Sequence, residues 1–330
     1  MKLIMFSVRE DEKAAINKWE TRKGIEITPV SEDLSLENID LVEGFDGICI
    51  QQRTELKDER LYKKLSAFNI KQISLRTAGY DIVDMELAEK YNLAVTNVPA
   101  YSPRSVAELV VTQVMRLIRN FPVIESNMAR GDFRWSGLVA KEIHTLTVGI
   151  IGAGHIGATT ARLFNALGAN VIAYDPIQYD RLKEVLTYKS TQKEVLESAD
   201  IVSLHVPLDK TTLNLIDAEA LNQMKSGAYL INAARGPVVD TNALIDALEF
   251  KKLAGAALDT LPQEQSFFNQ DLTAQEFPDE HLQKLMNTET VLITPHIGFY
   301  TTEAVQNMVD IALDSAVSVI VDGVSENRVK

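Results

Sequence analysis

The sequence predicts an α/β fold of two domains, each with a parallel sheet covered by helices on both faces. Three observations carry that reading. The chain has 330 residues, and single hydrophobic cores stop growing at roughly 250–300 residues, so two cores are expected. Short β-rich runs alternate with helical patterns in two series, one before and one after a break containing two prolines near residue 100. The runs are apolar at consecutive positions, the pattern of strands buried on both faces.

The first series reads "LIMFSV" (3–8), "IEIT" (25–28), "GICI" (47–50), "KQISL" (71–75) and "LAVTNV" (93–98). Helical stretches such as "DEKAAINKWE" and "DERLYKKLSAF" separate these runs, giving βα alternation and hence a parallel sheet. In the break "TNVPAYSPRSVAELV", Ser102 can cap a helix with Pro103 at its first position. Ala107, Val110, Val111, Val114, Leu117 and Ile118 then form one apolar stripe on a long helix spanning 102–120, which is expected to link the domains.

The second series has six strand-like runs, in "LTVGII", "NVIAYD", "DIVSLHV", "AYLINAA", "AGAALD" and "TVLITPH". Six fit a doubly wound nucleotide-binding domain. The last segment, "TTEAVQNMVDIALDSAVSVIVDG", repeats Ala304, Met308, Ile311, Ala312 and Ser315 at helical spacing. It comes after the second sheet is complete, and the N-terminal domain is an available surface for it to pack on.

Gly152, Gly154 and Gly157 form G-x-G-x-x-G directly between "TVGII" and the helical "ATTARLFNALG". The first glycine permits a tight turn, the second removes a side chain where pyrophosphate approaches, and the third lets helix and strand pack closely. The helix N-terminus supplies amides and dipole to the phosphates. Eighteen residues beyond Gly157, Asp175 ends the second run; a carboxylate there accepts the ribose hydroxyls and repels a 2′-phosphate, so the expected cofactor is NAD, in a Rossmann-type domain. His155 occupies a variable position of the loop, for which partial exposure near phosphate outweighs catalysis. Pro176 either shapes the adenine edge or simply ends the strand.

Open parallel sheets bind ligands beyond the carboxyl ends of their strands. Arg235 follows "YLINAA", Asp259 ends "AGAALD" with Glu264 five residues on, and His296 ends "VLITPH". An arginine in such a place is usually a surface ion-pair residue, but beside a bound nicotinamide it can clamp a substrate carboxylate. Reducing a ketone by hydride transfer leaves its oxygen gaining negative charge, and a nearby acid must supply a proton. Histidine suits that task near neutrality, and a carboxylate on the far ring nitrogen keeps its imidazolium available; Glu264 is the better spaced partner. Asp259 either joins that network or caps the loop. Spacing leaves both a catalytic and a satisfied core histidine open at 296.

Composition narrows the class further. Apolar residues make up 46% and charged residues 24%, the profile of a well-packed soluble protein. The formal charge of −13 opposes direct nucleic-acid binding. The N-terminal apolar run is too short for a signal peptide and no stretch reaches 18 uninterrupted apolar residues, so a cytoplasmic location with no membrane association is expected. The single cysteine, Cys49, cannot form an internal disulfide and reads as a core residue of "GICI" before a nucleophile. Five histidines lack close pairing with each other or with cysteine, so no metal site is expected.

The residues also carry a family resemblance over essentially the whole chain. "REDEK" (9–13), "SLRTAGYD" (74–81), "NVPAYSPRSVAE" (97–108), "DFRW" (132–135), "VGIIGAGHIG" (148–157), "ADIVSLHVP" (199–207), "INAARGPVVD" (231–240), "DEHL" (279–282) and "ITPHIGFYTTEAV" (293–305) bear it. The chain resembles the D-isomer-specific 2-hydroxyacid dehydrogenases, and most closely their D-lactate branch. That resemblance implies a flavodoxin-like substrate domain (1–100 and 299–330) and a Rossmann-type NAD domain (101–298), with the active site in the cleft between them. It implies that Arg235 binds substrate carboxylate, that His296 is the acid in pyruvate reduction and the base in reverse, and that Glu264 holds His296 while Asp259 tunes the pair. Ala78 and Gly79 are expected to help bind the carboxylate, with Tyr101 and Phe299 shaping the pocket. His155, Ile156, Asp175, Val206, Pro207, Thr212, Ala233, Ala234, Arg235 and Asp259 are expected to line NAD.

The chain departs from that pattern at "CIQQRTEL", where relatives usually carry an aromatic and this chain offers Gln51 and Gln52. The loop "DTLPQEQSFF" is atypical, and Gly298 stands where alanine is common. These departures leave the redox chemistry intact and weigh toward bulkier acids; the resemblance keeps pyruvate as the leading substrate and larger 2-oxo acids as the alternative, with an NAD-sensing corepressor-like protein as the account without turnover. A homodimer is expected, through the apolar stripe of the long helix or elsewhere on the nucleotide domain; internal packing of that stripe is the competing account.

Overall fold

The computed structural model describes residues 1–52, 54–273 and 279–329, which leaves Arg53 of "CIQQRTEL" outside the described residues. The chain divides into two units, one of Met1–Ser102 with Tyr300–Lys330 and one of Pro103–Phe299.

The first unit begins β1 (Leu3–Met5), α1 (Lys13–Lys23), β2 (Ile27–Pro29), β3 (Gly47–Ile50), α2 (Glu59–Ala67), β4 (Gln72–Leu75), α3 (Met85–Lys90) and β5 (Ala94–Thr96). Its sheet has the order β2-β1-β3-β4-β5 with every pair parallel, the order of flavodoxin-like folds. Alternate residues of each strand enter different cores, as a two-sided sheet requires: Ile4, Ile48, Ile50, Ile73 and Leu75 on one face, Leu3, Met5 and Cys49 on the other. Local chemistry starts the helices, with Asp58 and Asp84 each accepting a backbone N–H at the N-terminus, a cap contributing about 1 kcal/mol. Beyond the carboxyl end of β4, Arg76 is fully buried against the equally buried Glu12 at 2.9 Å and also donates to the carbonyls of Phe6 and Ser7. Such a pair is costly to break from one side, by roughly 3–5 kcal/mol.

The second unit contains α4 (Pro103–Ile118), α5 (Phe121–Ala129), β6 (Thr147–Ile151), α6 (His155–Ala166), β7 (Asn170–Tyr174), β8 (Thr187–Tyr188), α7 (Gln192–Ser198), β9 (Ile201–Leu204), α8 (Ala218–Gln223), β10 (Ala228–Asn232), α9 (Thr241–Glu249), β11 (Leu253–Leu258), α10 (Glu280–Met286) and β12 (Val291–Ile293). The all-parallel order β12-β11-β10-β9-β6-β7-β8 is a doubly wound, Rossmann-type sheet. It has seven strands where six runs were read; β8 is two residues long, too short to leave a pattern. The apolar stripe of α4 does not face outward. Val106, Val110, Val114, Leu117 and Ile118 are buried with residues of β6, α6 and β10 in one core of this unit, so internal packing accounts for the stripe.

The chain then returns to the first unit with α11 (Thr302–Asp322). Thr301 caps it, Gly323 at φ +75° closes it, and its apolar face packs on β3, β4 and α1. Ser74 anchors it by donating to the carbonyl of Ala312 at 2.7 Å. By length and composition α11 could cross a bilayer, but half of its apolar window is buried in the protein, as befits a core helix.

Candidate active site

The carboxyl edge of the second sheet arranges the site. Gly152 follows β6 at φ +90°, and a Cβ there would lie 2.5 Å from the carbonyl oxygen of His205, just beyond the neighbouring β9. A Cβ on Gly157 would meet the Gly152 carbonyl at 1.9 Å. Glycine is thus required at both places by close backbone approach. Gly154 is different: a Cβ there meets nothing within 4 Å. It precedes α6 as a residue without a side chain, which leaves room for a phosphate to approach the start of that helix. Asp175, next to β7, accepts N–H groups from Ala153 and Ile177, both at 2.7 Å, one on each carboxylate oxygen. Each oxygen keeps a further lone pair for a ribose hydroxyl. These residues fit a dinucleotide.

The other expected cofactor residues follow along the same edge. His155 begins α6 and is exposed, while Ile156 is half-buried. Val206 and Pro207 follow β9 after His205, and Thr212 closes their loop by donating to the Pro207 carbonyl at 2.7 Å. Ala233 and Ala234 extend β10 and are buried.

Arg235 comes next, in a loop that Asn232 shapes by accepting the N–H of Ala234 and donating to the carbonyl of Arg235, both at 3.0 Å. The guanidinium donates to the Ala234 carbonyl at 2.8 Å. No carboxylate pairs with it among the described residues, whereas eight of the other arginines have an acidic partner. Gly236 presses this loop onto the next one, since a Cβ there would fall 2.1–2.4 Å from backbone atoms of Leu261 and Pro262. Glu264 lies just beyond, its Oε2 accepting the N–H of Leu261 at 3.0 Å.

Glu264 Oε1 meets His296 Nδ1 at 2.5 Å. The imidazole is 32% exposed, which separates it from a core histidine. Nδ1–H donating to the carboxylate leaves Nε2 toward open space, with no partner among the described residues. His296 itself sits at φ +55°, a left-handed conformation that costs a residue with a side chain roughly 1–3 kcal/mol. Asp259, beyond β11, steadies that loop. Its Oδ1 accepts from the Thr294 hydroxyl at 2.6 Å and the Ile297 N–H at 3.0 Å, and its Oδ2 accepts from the Gly298 N–H at 2.8 Å. Burial pushes the Asp259 carboxyl above its usual range, against those three donors and the nearby His296. Gly298 lets this happen, because a Cβ would stand 2.9 Å from Asp259 Oδ2.

Thr294 and Gln113, which donates to its hydroxyl at 3.0 Å, gave no signal in the sequence. Phe299 ends this unit and is half-buried. Ala78, Gly79 and Tyr101 belong to the first unit, where Asn97 donates to the Ala78 carbonyl and Thr77 to that of Gly79, at 2.7 and 2.6 Å. Among the described residues no cluster of three or more His, Cys, Asp or Glu side chains could hold a metal ion.

Residues 111–298 match the family model described as D-isomer specific 2-hydroxyacid dehydrogenase, NAD binding domain. A D-2-hydroxyacid dehydrogenase (NAD(+)) from Clostridioides difficile is 42% identical over the full length of both chains. The chain belongs to the D-isomer-specific 2-hydroxyacid dehydrogenase family. It is an NAD-dependent enzyme of that family, and solved members superpose along its whole length. A D-lactate dehydrogenase from Sporolactobacillus sp shares 55% identity at a TM-score of 0.91, covering 100% of this chain and 99% of that one. A D-lactate dehydrogenase with NAD+ from Lactobacillus jensenii shares 42% at 0.93, covering both chains fully.

Proposed function

We propose that this dehydrogenase interconverts pyruvate and D-lactate. The observation that carries the reading is the pairing of Glu264 with His296 Nδ1, on an edge where, among the described residues, Nε2 has no partner and Arg235 no acidic one. Arg235 forks the substrate carboxylate through two parallel N–H donors. His296 Nε2–H donates to the ketone oxygen as negative charge develops there, and the neutral ring takes the proton back from the hydroxyl in the reverse direction. Glu264 keeps Nδ1 protonated and the ring oriented throughout. When bound, NAD supplies or accepts the hydride. Relatives that align over the whole chain are named D-lactate dehydrogenase, and the intact proton-transfer pair favours an enzyme over a sensing protein.

A second reading, for larger 2-oxo acids, rests on Gln51. Its side chain accepts from Arg9 at 2.5 Å and reaches Met308 Sδ at 3.5 Å, so a polar amide stands beyond the carboxyl end of β3. Gln52 turns inward instead, holding both backbone groups of Leu34. Rates on pyruvate, 2-oxobutyrate, 2-oxo-4-methylpentanoate and phenylpyruvate with NADH, followed by chiral analysis, test the assignment. D products with pyruvate as the most efficient substrate are expected; preference for the longer acids moves the assignment to the broader activity, and L products reject it.

We assign the enzyme to the cytoplasm and to a homodimer. Support for self-association comes from α5, none of whose residues is buried, and from the segment after it, where Phe133, Trp135 and Val139 are 73%, 88% and 92% exposed. Large apolar side chains left this exposed within one segment are candidates for an interaction surface.

A further inference from the structure

The left-handed backbone at His296 has to be held by its surroundings, and the holding group is Asp259. A buried carboxylate is a sound clamp only while donors satisfy it. Two of its three donors are amides of the loop it clamps, so they cannot be what orients it. The third is the hydroxyl of Thr294, two residues before His296, whose carbonyl also accepts the His296 N–H at 2.9 Å. A hydroxyl has one proton and can point it several ways. Here it accepts from Gln113 Nε2 at 3.0 Å, which sends its own proton to Asp259 at 2.6 Å.

Gln113 is the odd member of its helix face. It is 3% exposed within the apolar stripe of α4, and its Oε1 is buried without a partner. A buried amide left half satisfied costs roughly 1–3 kcal/mol, and a leucine would pack in that stripe without it. Packing therefore gives no reason for glutamine; the bond to Thr294 does.

Building on the proposed proton-transfer role of His296, we propose that Gln113 and Thr294 are positioning residues for it. Gln113 aims the Thr294 hydroxyl, the hydroxyl fixes Asp259, and Asp259 holds the 296–298 loop so that the ring meets Glu264. Both act through Asp259, so the effect is expected on turnover and not on binding.

The test compares Thr294→Val, Thr294→Ser, Gln113→Leu and the T294V/Q113L double variant in full-length enzyme, with kcat and KM on the best substrate of the panel and NADH affinity by fluorescence. T294V is expected to lose about 10–100-fold in kcat with KM and NADH affinity within twofold, T294S to recover to within about threefold of wild type, and Q113L to lose about 3–10-fold. The double variant is expected to be no worse than T294V, since both changes break one chain. Wild-type kcat in T294V, T294S as poor as T294V, or multiplying losses in the double variant overturns the proposal. If T294V does not fold, Q113L decides alone: reduced kcat at unchanged KM supports it and unchanged kcat overturns it. Because each variant is scored against wild type on whichever acid turns over fastest, failure of the pyruvate assignment changes the substrate used and leaves these ratios readable.

Discussion

The carboxylate of Asp175 accepts the backbone N–H of Ala153 at 2.7 Å, so the acid at the end of β7 also ties down the glycine loop after β6. The acid proposed to select the cofactor thus also braces the glycine loop. Asp175→Ala removes the ribose acceptor, the charge that repels a 2′-phosphate, and the brace on Ala153. The ratio of kcat/KM for NADH over NADPH is expected to fall at least about tenfold, equivalent to 1.4 kcal/mol, with weaker NADH binding besides. Steady-state assays at matched cofactor concentrations check this, and an unchanged ratio removes Asp175 from cofactor choice.

His296→Gln keeps a polar side chain but cannot donate and recover a proton near neutrality. A loss of about 10²–10⁴ in kcat is expected, the usual span for general acid–base catalysis, while NADH affinity measured by fluorescence titration stays near wild type. Glu264→Gln retains the shape and loses the charge on Nδ1, so its loss is expected to be smaller. Near-native turnover by H296Q across pH returns His296 to a structural role.

His205 is expected to contribute to sensitivity toward acid. Its Nε2 is bonded to the Ser203 hydroxyl at 2.9 Å and its Nδ1 is buried without a partner, and burial pulls the imidazolium down to about 3. The residue as a whole is half-buried, but the ring nitrogens are what titrate and they are covered. The native state therefore refuses a proton that the unfolded chain binds below about 6.5, and stability is lost as pH falls from there toward 3, by at most about 1.4 kcal/mol per unit. His205→Gln has no such loss. Its melting temperature relative to wild type is expected to rise between pH 7 and pH 5; a constant difference over that range counts against the neutral, buried ring.

The proposed self-association and the packing of the core are assigned to two neighbouring segments. Replacing Phe133 and Trp135 together by serine is expected to shift sedimentation at micromolar concentration from dimer to monomer with little change in thermal stability. Leu117→Ala, in the buried stripe of α4, is expected to cost about 2–5 kcal/mol of stability without changing the species that sediments. If the double serine variant remains dimeric, the contact lies elsewhere.

Local pattern made the strands, the capped helices and the glycine loop legible, because a tight turn, a close helix and a phosphate-facing amide each demand a residue type at a set spacing. It also set Arg235, Asp259 and His296 at strand ends. It could not separate a catalytic from a core histidine at 296, since exposure and the 2.5 Å contact with Glu264 are properties of the folded loops. Nor could it tell what the stripe on α4 faces, because a helix buried in its own domain and one buried against a second copy have the same periodicity.

By itself, then, the sequence determined the two parallel sheets, the dinucleotide loop and the inventory of chemical groups, all of which depend on neighbours close along the chain. Only the tertiary structure decided that Gln113 reaches Thr294 across 181 positions, that Gly236 seats the arginine loop on the glutamate loop, and that His296 is held left-handed by Asp259. Those contacts join segments distant in sequence, and a hydrogen bond between two side chains exists only once packing has brought them within about 3 Å.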